Sequence, residues 1–351
     1  MSSNSKETEE VQKPGMKPDT KREDTMETEG DTSSHVSDSA NTTTTTMLFL
    51  ISDEDALAQA KEHFKRDQVL VAARLLNHVT TVPDEDILFV KEVQQKAKLL
   101  NHVIADLLSD PEHQTTEQEE DGNEHDKWIK GGESHDGHRD TVMYYKLSED
   151  LKLTGRLETP IESSLLVPLL SVLIETDLFM TWLPRWTIPR IGLSSVNKLG
   201  QLGRTEQIIQ FISEVPWPFT ARDVILKTCA TDDIDDITED PNTTGTIAIS
   251  LLSVRDDQVH KSTLFNPHYQ AEKDVIDIPP IAEGMKRAEF NGGLLIRKCP
   301  EDHVALRHST IHYPPDEHLI LVGFSMRIDG KISPLFPTSV INFVIQVRWD
   351  C

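Results

Sequence analysis

Apolar residues recur with helical spacing after Ser52. Ser52 and the acids that follow it form an N-cap signal, and the apolar positions after them continue to Pro83. This pattern predicts one helix, or two if Asp67 breaks it. A second stripe follows the acids at 84–86, and its apolar members are Ile87, Val90, Val93, Ala97, Leu100, Val103, Ile104 and Leu107. Residues 51–110 are therefore predicted to form a helical hairpin.

The segments on either side of this hairpin lack such periodicity. Residues 1–50 are dominated by Ser, Thr and charged side chains, a composition that predicts a disordered tail because it buries too little apolar surface. Residues 111–140 are acidic and contain glycines, which predicts a flexible linker. Trp128 is the exception within the linker, and we expect it to dock on the domain that follows.

After residue 140 the pattern changes to short runs of β-branched and aromatic residues. VMYYKLSED and LKLTGRLETP predict two strands around a turn. The dense apolar stretch LLVPLLSVLIETDLFMTWLP then predicts buried helices, broken at Pro168. Further strands are predicted in WTIPRIG, in residues 207–230, and in TGTIAISLLSVR, MKRAEFNGGLLIRKC, HVALRHSTIHY and HLILVGFSMRID.

The segment from Gln207 to Ala230 is predicted to be a central hairpin of the sheet. Two β-rich runs flank Pro216-Trp217-Pro218, whose prolines fix φ and remove backbone donors, so this connector is extended rather than helical. Arg222 and Asp223 open the second strand. Their predicted role is an ion pair that holds the connector, and contact with a ligand is the alternative.

The last run of the chain predicts a helix, because Pro337 and Ser339 precede an apolar stripe. An antiparallel sheet of the predicted width must curl, and one terminal helix then lies across its concave side. The sequence therefore predicts an α+β fold for residues 141–351.

Charge and cysteine content narrow the function. The 351 residues include 59 acidic and 35 basic ones and carry a formal net charge of −24, which argues against a nucleic-acid partner and against attraction to an anionic membrane. Transient membrane contact stays open. Three separated cysteines without a CxxC spacing predict no zinc site, and no cofactor motif is found. We expect a cytoplasmic protein, since no apolar run is long enough to span a bilayer.

A set of motifs in a fixed order gives a family resemblance. The motifs are Trp182 with Pro184, Pro216 to Asp223, Gly284 with Arg287 and Glu289, Asp329-Gly330, and Pro337 to Asn342. In this order they resemble the START lipid-transfer domain, the steroidogenic-acute-regulatory-related family with a helix-grip fold, over residues 141–351. The resemblance implies a cavity between a curved sheet and the C-terminal helix, which holds one sterol, phospholipid, sphingolipid or similar lipid without covalent chemistry.

The candidate lipid-binding residues lie on the predicted strands and on the terminal helix. They are Trp182, Gln210, Arg222, Thr228, Arg287, His308, Val340, Phe343 and Val344. Gln210 and Thr228 occupy the positions where some sterol-binding members of the family place an acid and a base, which weakens a sterol assignment.

Two other functions are compatible with the sequence. In the first, a regulatory or scaffold protein uses residues 51–110 to bind a protein partner and the cavity is vestigial. In the second, a cyclase-like enzyme uses the same fold. Such an enzyme needs an acid, a base or a nucleophile with matched partners in the cavity, and the sequence does not indicate such a set of residues. The main prediction is thus a non-enzymatic lipid-binding protein.

Overall fold

The computed structural model describes residues 51–111, 127–135, 140–183, 186–187, 190–215, 219–234, 245–254, 276, 278–306 and 318–333. These residues all belong to one compact unit. The expected polar tail, the connector at 216–218 and the expected C-terminal helix lie outside the described residues.

Three helices precede the sheet, as expected for the alternative in which Asp67 breaks the first run. They are α1 (Asp53–Lys65), α2 (Val69–Leu76) and α3 (Ile87–Leu108). The N-cap is confirmed, since the hydroxyl of Ser52 accepts a hydrogen bond from the amide of Asp55 at 3.1 Å. Asp67 adopts a φ of 62°, a left-handed conformation that a helix cannot continue through, so it separates α1 from α2.

The fold is α+β, as predicted, with one large and almost wholly antiparallel sheet. Its order is β1-β2-β3-β11-β10-β8-β7-β6-β5-β4, and β9 pairs with β7 in parallel. The strands are β1 (Ile129–His135), β2 (Asp140–Leu147), β3 (Leu153–Glu162), β4 (Trp186–Thr187), β5 (Arg190–Gln201), β6 (Gln207–Glu214), β7 (Arg222–Asp233), β8 (Thr246–Ser253), β9 (Lys286–Arg287), β10 (Glu289–Lys298) and β11 (Leu319–Asp329). The predicted central hairpin is confirmed as β6 and β7.

The predicted linker contains a strand. β1 pairs with β2, although its sequence IKGGESH has no apolar alternation from which a strand could be predicted. Backbone hydrogen bonds to β2 therefore determine that these residues form a strand. Trp128, just before β1, packs against the buried cluster of Val142, Tyr144 and Ala305, which agrees with the expected docking.

Two further predictions are corrected. The apolar stretch forms α4 (Leu166–Ile174) and α5 (Phe179–Trp182). The break at Pro168 is not found, because α4 runs on to Ile174, and in these two helices the predicted burial is found only for Phe179 of α5, since α4 has no buried residue. Pro168 is tolerated in the first turn of α4, where backbone amides have no acceptor within the helix. Residues Val304–Leu306, predicted as strand, form a 3-10 turn.

The two faces of the sheet are packed differently. Cys229, Ala248 and Leu295 belong to the side that we call the helix face, and α2 and α3 pack on it through Val69, Leu70, Ala97, Leu100, Val103, Ile104 and Leu107. The opposite side, which carries Leu226 and Ile249, we call the apolar face. The apolar stripe of α3 is thus buried inside the protein.

Glycines allow α3 to approach the sheet closely. A Cβ atom on Gly293 would lie 2.7 Å from Cγ1 of Val103 and 2.2 Å from the carbonyl oxygen of Ile249. One on Gly323 would lie 3.3 Å from Cδ2 of Leu107. The absence of side chains at these positions therefore makes room for the helix.

Charged groups fix α3 in place. Lys96 forms ion pairs with Glu92, at 2.7 Å, and with Glu206 ahead of β6. Burial by itself would lower the pKa of Lys96, but the two carboxylates raise it above its usual value. From β3, Arg156 donates to the carbonyl oxygen of Leu107 at 2.6 Å, so it caps the C-terminal end of α3.

The close approach of α3 predicts that Gly293→Ala is destabilising. The added methyl group has to displace Val103 or the backbone of β8, and such overpacking costs about 1–3 kcal/mol in the free energy of unfolding, measured by urea denaturation. Gly330→Ala is the matched control, because a Cβ there meets Ile332 at 3.5 Å, an ordinary contact. Equal effects of the two substitutions would contradict the role of Gly293.

Candidate functional site

The apolar face is a continuous surface across the middle of the sheet. Directly paired residues on neighbouring strands share a face. Ile209 is paired with Leu226, so both lie on the apolar face. Leu251 is paired with Gly292, and Gly292 with Met326, so these three residues lie on that face as well. The half-buried members of this surface are Leu157, Phe211, Val224, Ile249, Leu251, Leu294, Phe324 and Met326. On the helix face, by contrast, Ile225, Cys229, Ala248 and Leu295 are buried.

Helix α4 covers one end of the apolar face. Its residues Leu166, Leu169 and Leu170, with Leu165 before them, pack on a buried cluster that consists of Ile161, Ile247, Ile296, Ile320 and Val322. All five residues of the cluster are buried. Beyond it most apolar residues of this face are half-buried, and Ile209 and Leu226 are among its buried members.

Aromatic side chains connect this face with the protein surface. The ring of Trp182 lies 5.4 Å from that of Phe179, edge to face, and Phe179 stacks at 6.1 Å on Phe211 of β6. Trp182 is 42% exposed. This candidate residue therefore lies at the outer end of an aromatic row that reaches the apolar face.

Arg222 and Asp223 do not form the predicted ion pair, because consecutive strand residues point to opposite faces. Asp223 lies on the helix face and pairs with Arg287 at 2.6 Å. It also accepts a hydrogen bond from the side-chain amide nitrogen, Nε2, of Gln210 at 3.1 Å. The acid that was expected to neutralise Arg222 is thus engaged elsewhere.

Arg222 lies on the apolar face, at the start of β7, and is only 8% exposed. Its Nε donates to the carbonyl oxygen of Gly330 at 2.6 Å, and its Nη1 donates to the carbonyl and the hydroxyl oxygens of Thr220. Burial lowers the pKa of Arg222 from its usual value, since a desolvated guanidinium loses hydration. No carboxylate of the described residues pairs with it.

The other candidate residues divide between the two faces. Gln210 is paired with Ile225 on the helix face, and Arg287 also lies there with Asp223, so neither shares the side on which Thr228 lies. The hydroxyl of Thr228 accepts a hydrogen bond from the amide of Gln207 at 3.0 Å. Gln210 and Thr228 therefore cannot line the same cavity, contrary to the expectation. His308, Val340, Phe343 and Val344 lie outside the described residues.

Sequence reasoning missed the apolar residues of β8, β10 and β11. The signal was present, because TIAISLLS and LILVGFSM are rich in apolar residues on both sides of the strand. Such runs do not reveal which side the helices occupy. Only the packing of α3 identifies the half-buried side.

A second apolar surface faces solvent on α4 and α5. Val167 is 70% exposed, Ile174 58% and Leu178 47%, and residues 163–174 contain no charged side chain. Among the described residues, no single helix has the length and hydropathy to cross a membrane. Ser163–Ile174 and Thr176–Trp182 meet that criterion only when combined, and they are bent by 85°.

The titratable groups of the sheet include two buried thiols, Cys229 and Cys299. Burial raises the pKa of Cys229 to about 12 and that of Cys299 to about 11, so neither thiol ionises appreciably at neutral pH. Within the described ranges, His, Cys, Asp and Glu form no group of three or more that could hold a metal ion. The chemical character of the site thus comes from its apolar surface and from Arg222.

Neither the comparison with family models nor that with curated proteins gives a match. Among solved structures, a STAR-related lipid transfer protein from Xanthomonas axonopodis is 17% identical, with a TM-score of 0.36 and coverage of 59% of this chain and 85% of that one. Human STARD10 is 15% identical, with a TM-score of 0.37 and coverage of 68% and 74%. Human StAR-related lipid transfer protein 5 is 12% identical, with a TM-score of 0.37 and coverage of 73% and 93%. At these TM-scores the likenesses carry no argument about this chain.

A double-mutant cycle distinguishes the two possible partners of Asp223. We expect a coupling free energy of about 1–3 kcal/mol between Asp223 and Arg287, because their contact is direct and buried, and of less than about 0.5 kcal/mol between Asp223 and Arg222. The measurement is urea denaturation of the Asn variant of Asp223 combined with Gln variants of each arginine. A larger coupling to Arg222 would refute the assignment of faces.

Proposed function

We propose that the protein binds and transfers a single lipid, without enzymatic chemistry, on the apolar face of the sheet. The observation that carries this proposal is the contrast between the two faces. One is closed by helices and buried, whereas the other presents Leu251, Phe324 and their neighbours in a half-buried state. An extended apolar surface with few polar groups suits a ligand that is itself mainly hydrocarbon.

The packing of α3 argues against the regulatory alternative. That function assigns a partner-binding surface to residues 51–110, but the apolar residues of α3, such as Val103 and Leu107, are used against the sheet. A partner would have to bind the remaining polar sides of the helices. The lipid-binding function instead uses a surface that the described residues leave half-buried.

Native mass spectrometry after incubation with liposomes tests the proposal. We expect the full chain to retain one lipid molecule, and Leu251→Trp to reduce that retention at least about tenfold because the indole fills space on the apolar face. Leu88→Trp is the control, since Leu88 is 65% exposed on α3.

Two results would contradict lipid binding. One is a wild-type protein that retains no lipid from liposomes of any composition. The other is undiminished retention by Leu251→Trp with an unchanged melting temperature, because a ligand on the apolar face must compete with the added side chain.

The exchange of a lipid requires contact with a membrane, and the exposed surface of α4 and α5 suits a neutral bilayer. Its apolar residues Val167 and Ile174 have no charged neighbours within residues 163–174, while Glu175 and Asp177 follow directly. Acidic flanks disfavour an anionic lipid surface. The opposite side of α4 rests on the apolar face, so the same helix borders both the membrane and the lipid.

Vesicle sedimentation tests this contact. We expect the protein with both Val167→Asp and Ile174→Asp to bind zwitterionic phosphatidylcholine vesicles at least about tenfold more weakly than wild type, because two charges have to be desolvated. Leu88→Asp, which changes an exposed residue of α3, should bind as wild type does. The proposed membrane contact is contradicted if the wild-type protein does not bind the vesicles. It is also contradicted if the Val167→Asp/Ile174→Asp protein binds them as well as Leu88→Asp does, and the surface then serves a protein partner or none.

A further inference from the structure

Arg222 is a buried cation at one end of an apolar surface. It shares its side of β7 with Val224 and Leu226, and only 8% of its surface is exposed. The strand continues to Ala230 on the same face, about 26 Å away at the usual rise per residue. One leaflet of a bilayer has about 15 Å of hydrocarbon, so this face is long enough for an acyl chain.

Three acids in this part of the fold are bound to other cations. Asp223 is paired with Arg287 at 2.6 Å on the helix face. At the ends of β10 and β11, where Arg222 contacts Gly330, Lys331 pairs with Glu289 at 2.7 Å and with Asp329 at 2.8 Å. Among the described residues, Arg222 thus has carbonyl and hydroxyl partners but no carboxylate.

A guanidinium in this state favours an anionic ligand. Carbonyl oxygens satisfy Nε and Nη1 but leave the positive charge uncompensated, which is unfavourable in a buried position. The planar group has five donors and binds phosphate or carboxylate oxygens through two parallel hydrogen bonds. No hydrogen bond from Nη2 to a described residue is found, so this nitrogen is available to a ligand.

We propose that Arg222 binds the oxyanion of a lipid headgroup, a phosphodiester or a carboxylate, while the acyl chains of that lipid lie along the apolar face. This inference rests on the proposed function and specifies its ligand class. A sterol, a ceramide or a diacylglycerol offers only uncharged hydroxyl, ester or amide groups, which leave the charge of Arg222 uncompensated. Phospholipids and fatty acids neutralise it.

Competition for the wild-type protein provides the first test. The full chain is incubated with vesicles that contain phosphatidylcholine, diacylglycerol with the same acyl chains, oleic acid and cholesterol, and the retained lipid is identified by native mass spectrometry. We expect retention of phosphatidylcholine or oleic acid to exceed that of either neutral lipid at least about tenfold. The masses distinguish the phosphate from the carboxylate. Retention of the neutral lipids at parity overturns the inference but leaves lipid binding intact, whereas no retention at all overturns both.

Substitutions provide the second test. We expect Arg222→Gln to lose the preference for the anionic headgroup and Arg222→Lys to keep most of it. Arg287→Gln is the matched control, because it removes a buried guanidinium from the other face and should lower stability without changing the preference. Far-UV circular dichroism establishes that the variants are folded. An unchanged preference in folded Arg222→Gln contradicts the role of Arg222, and if that variant does not fold the wild-type competition decides.

Discussion

The packing of α3 on the helix face is the constraint on which the rest of the structure depends. Gly293 and Gly323 let the helix lie close to the strands, Lys96 reaches Glu206, and Arg156 binds the end of the helix. A buried ion pair fixes the position of the helix more than it adds to the net stability of the fold, because desolvation offsets most of its Coulomb energy. The apolar contacts supply the stabilisation, and the charged groups fix the register of helix against sheet.

Because one face of the sheet is closed in this way, the half-buried apolar residues lie on the other, which is the site of the proposed ligand. Side chains alternate along a strand, so each residue of β7 belongs either to the packed side or to the half-buried side. The alternation also separates the charges. Asp223 and Arg287 neutralise one another on the helix face, while Arg222, one residue earlier, is held on the apolar face by backbone carbonyls. Within the part of the chain that the structure describes, no carboxylate pairs with this buried cation, and the proposed preference for an anionic headgroup rests on that arrangement.

Much of the architecture could be predicted from local patterns. The N-cap at Ser52, the stripe of α3 and the hairpin around residues 216–218 follow from spacing and from proline chemistry, both of which act within a few residues. Predictions were wrong where distant contacts decide the outcome. The strand Ile129–His135 has no apolar pattern and exists through its pairing with β2, and α4 is apolar on its solvent-facing side as well as on the side that packs on the sheet.

The candidate site shows the same division. The sequence alone predicts the α+β class and the apolar strands, and it identifies Arg222 as a candidate lipid-binding residue. The tertiary structure decides that Gln210 and Thr228 face opposite ways, and that the partner of Asp223 is Arg287 rather than its neighbour in the chain. The physical reason is the two-residue period of a strand. It is visible in a sequence, but which of its two sides meets the helices depends on long-range packing, and a shift of one residue exchanges the sides.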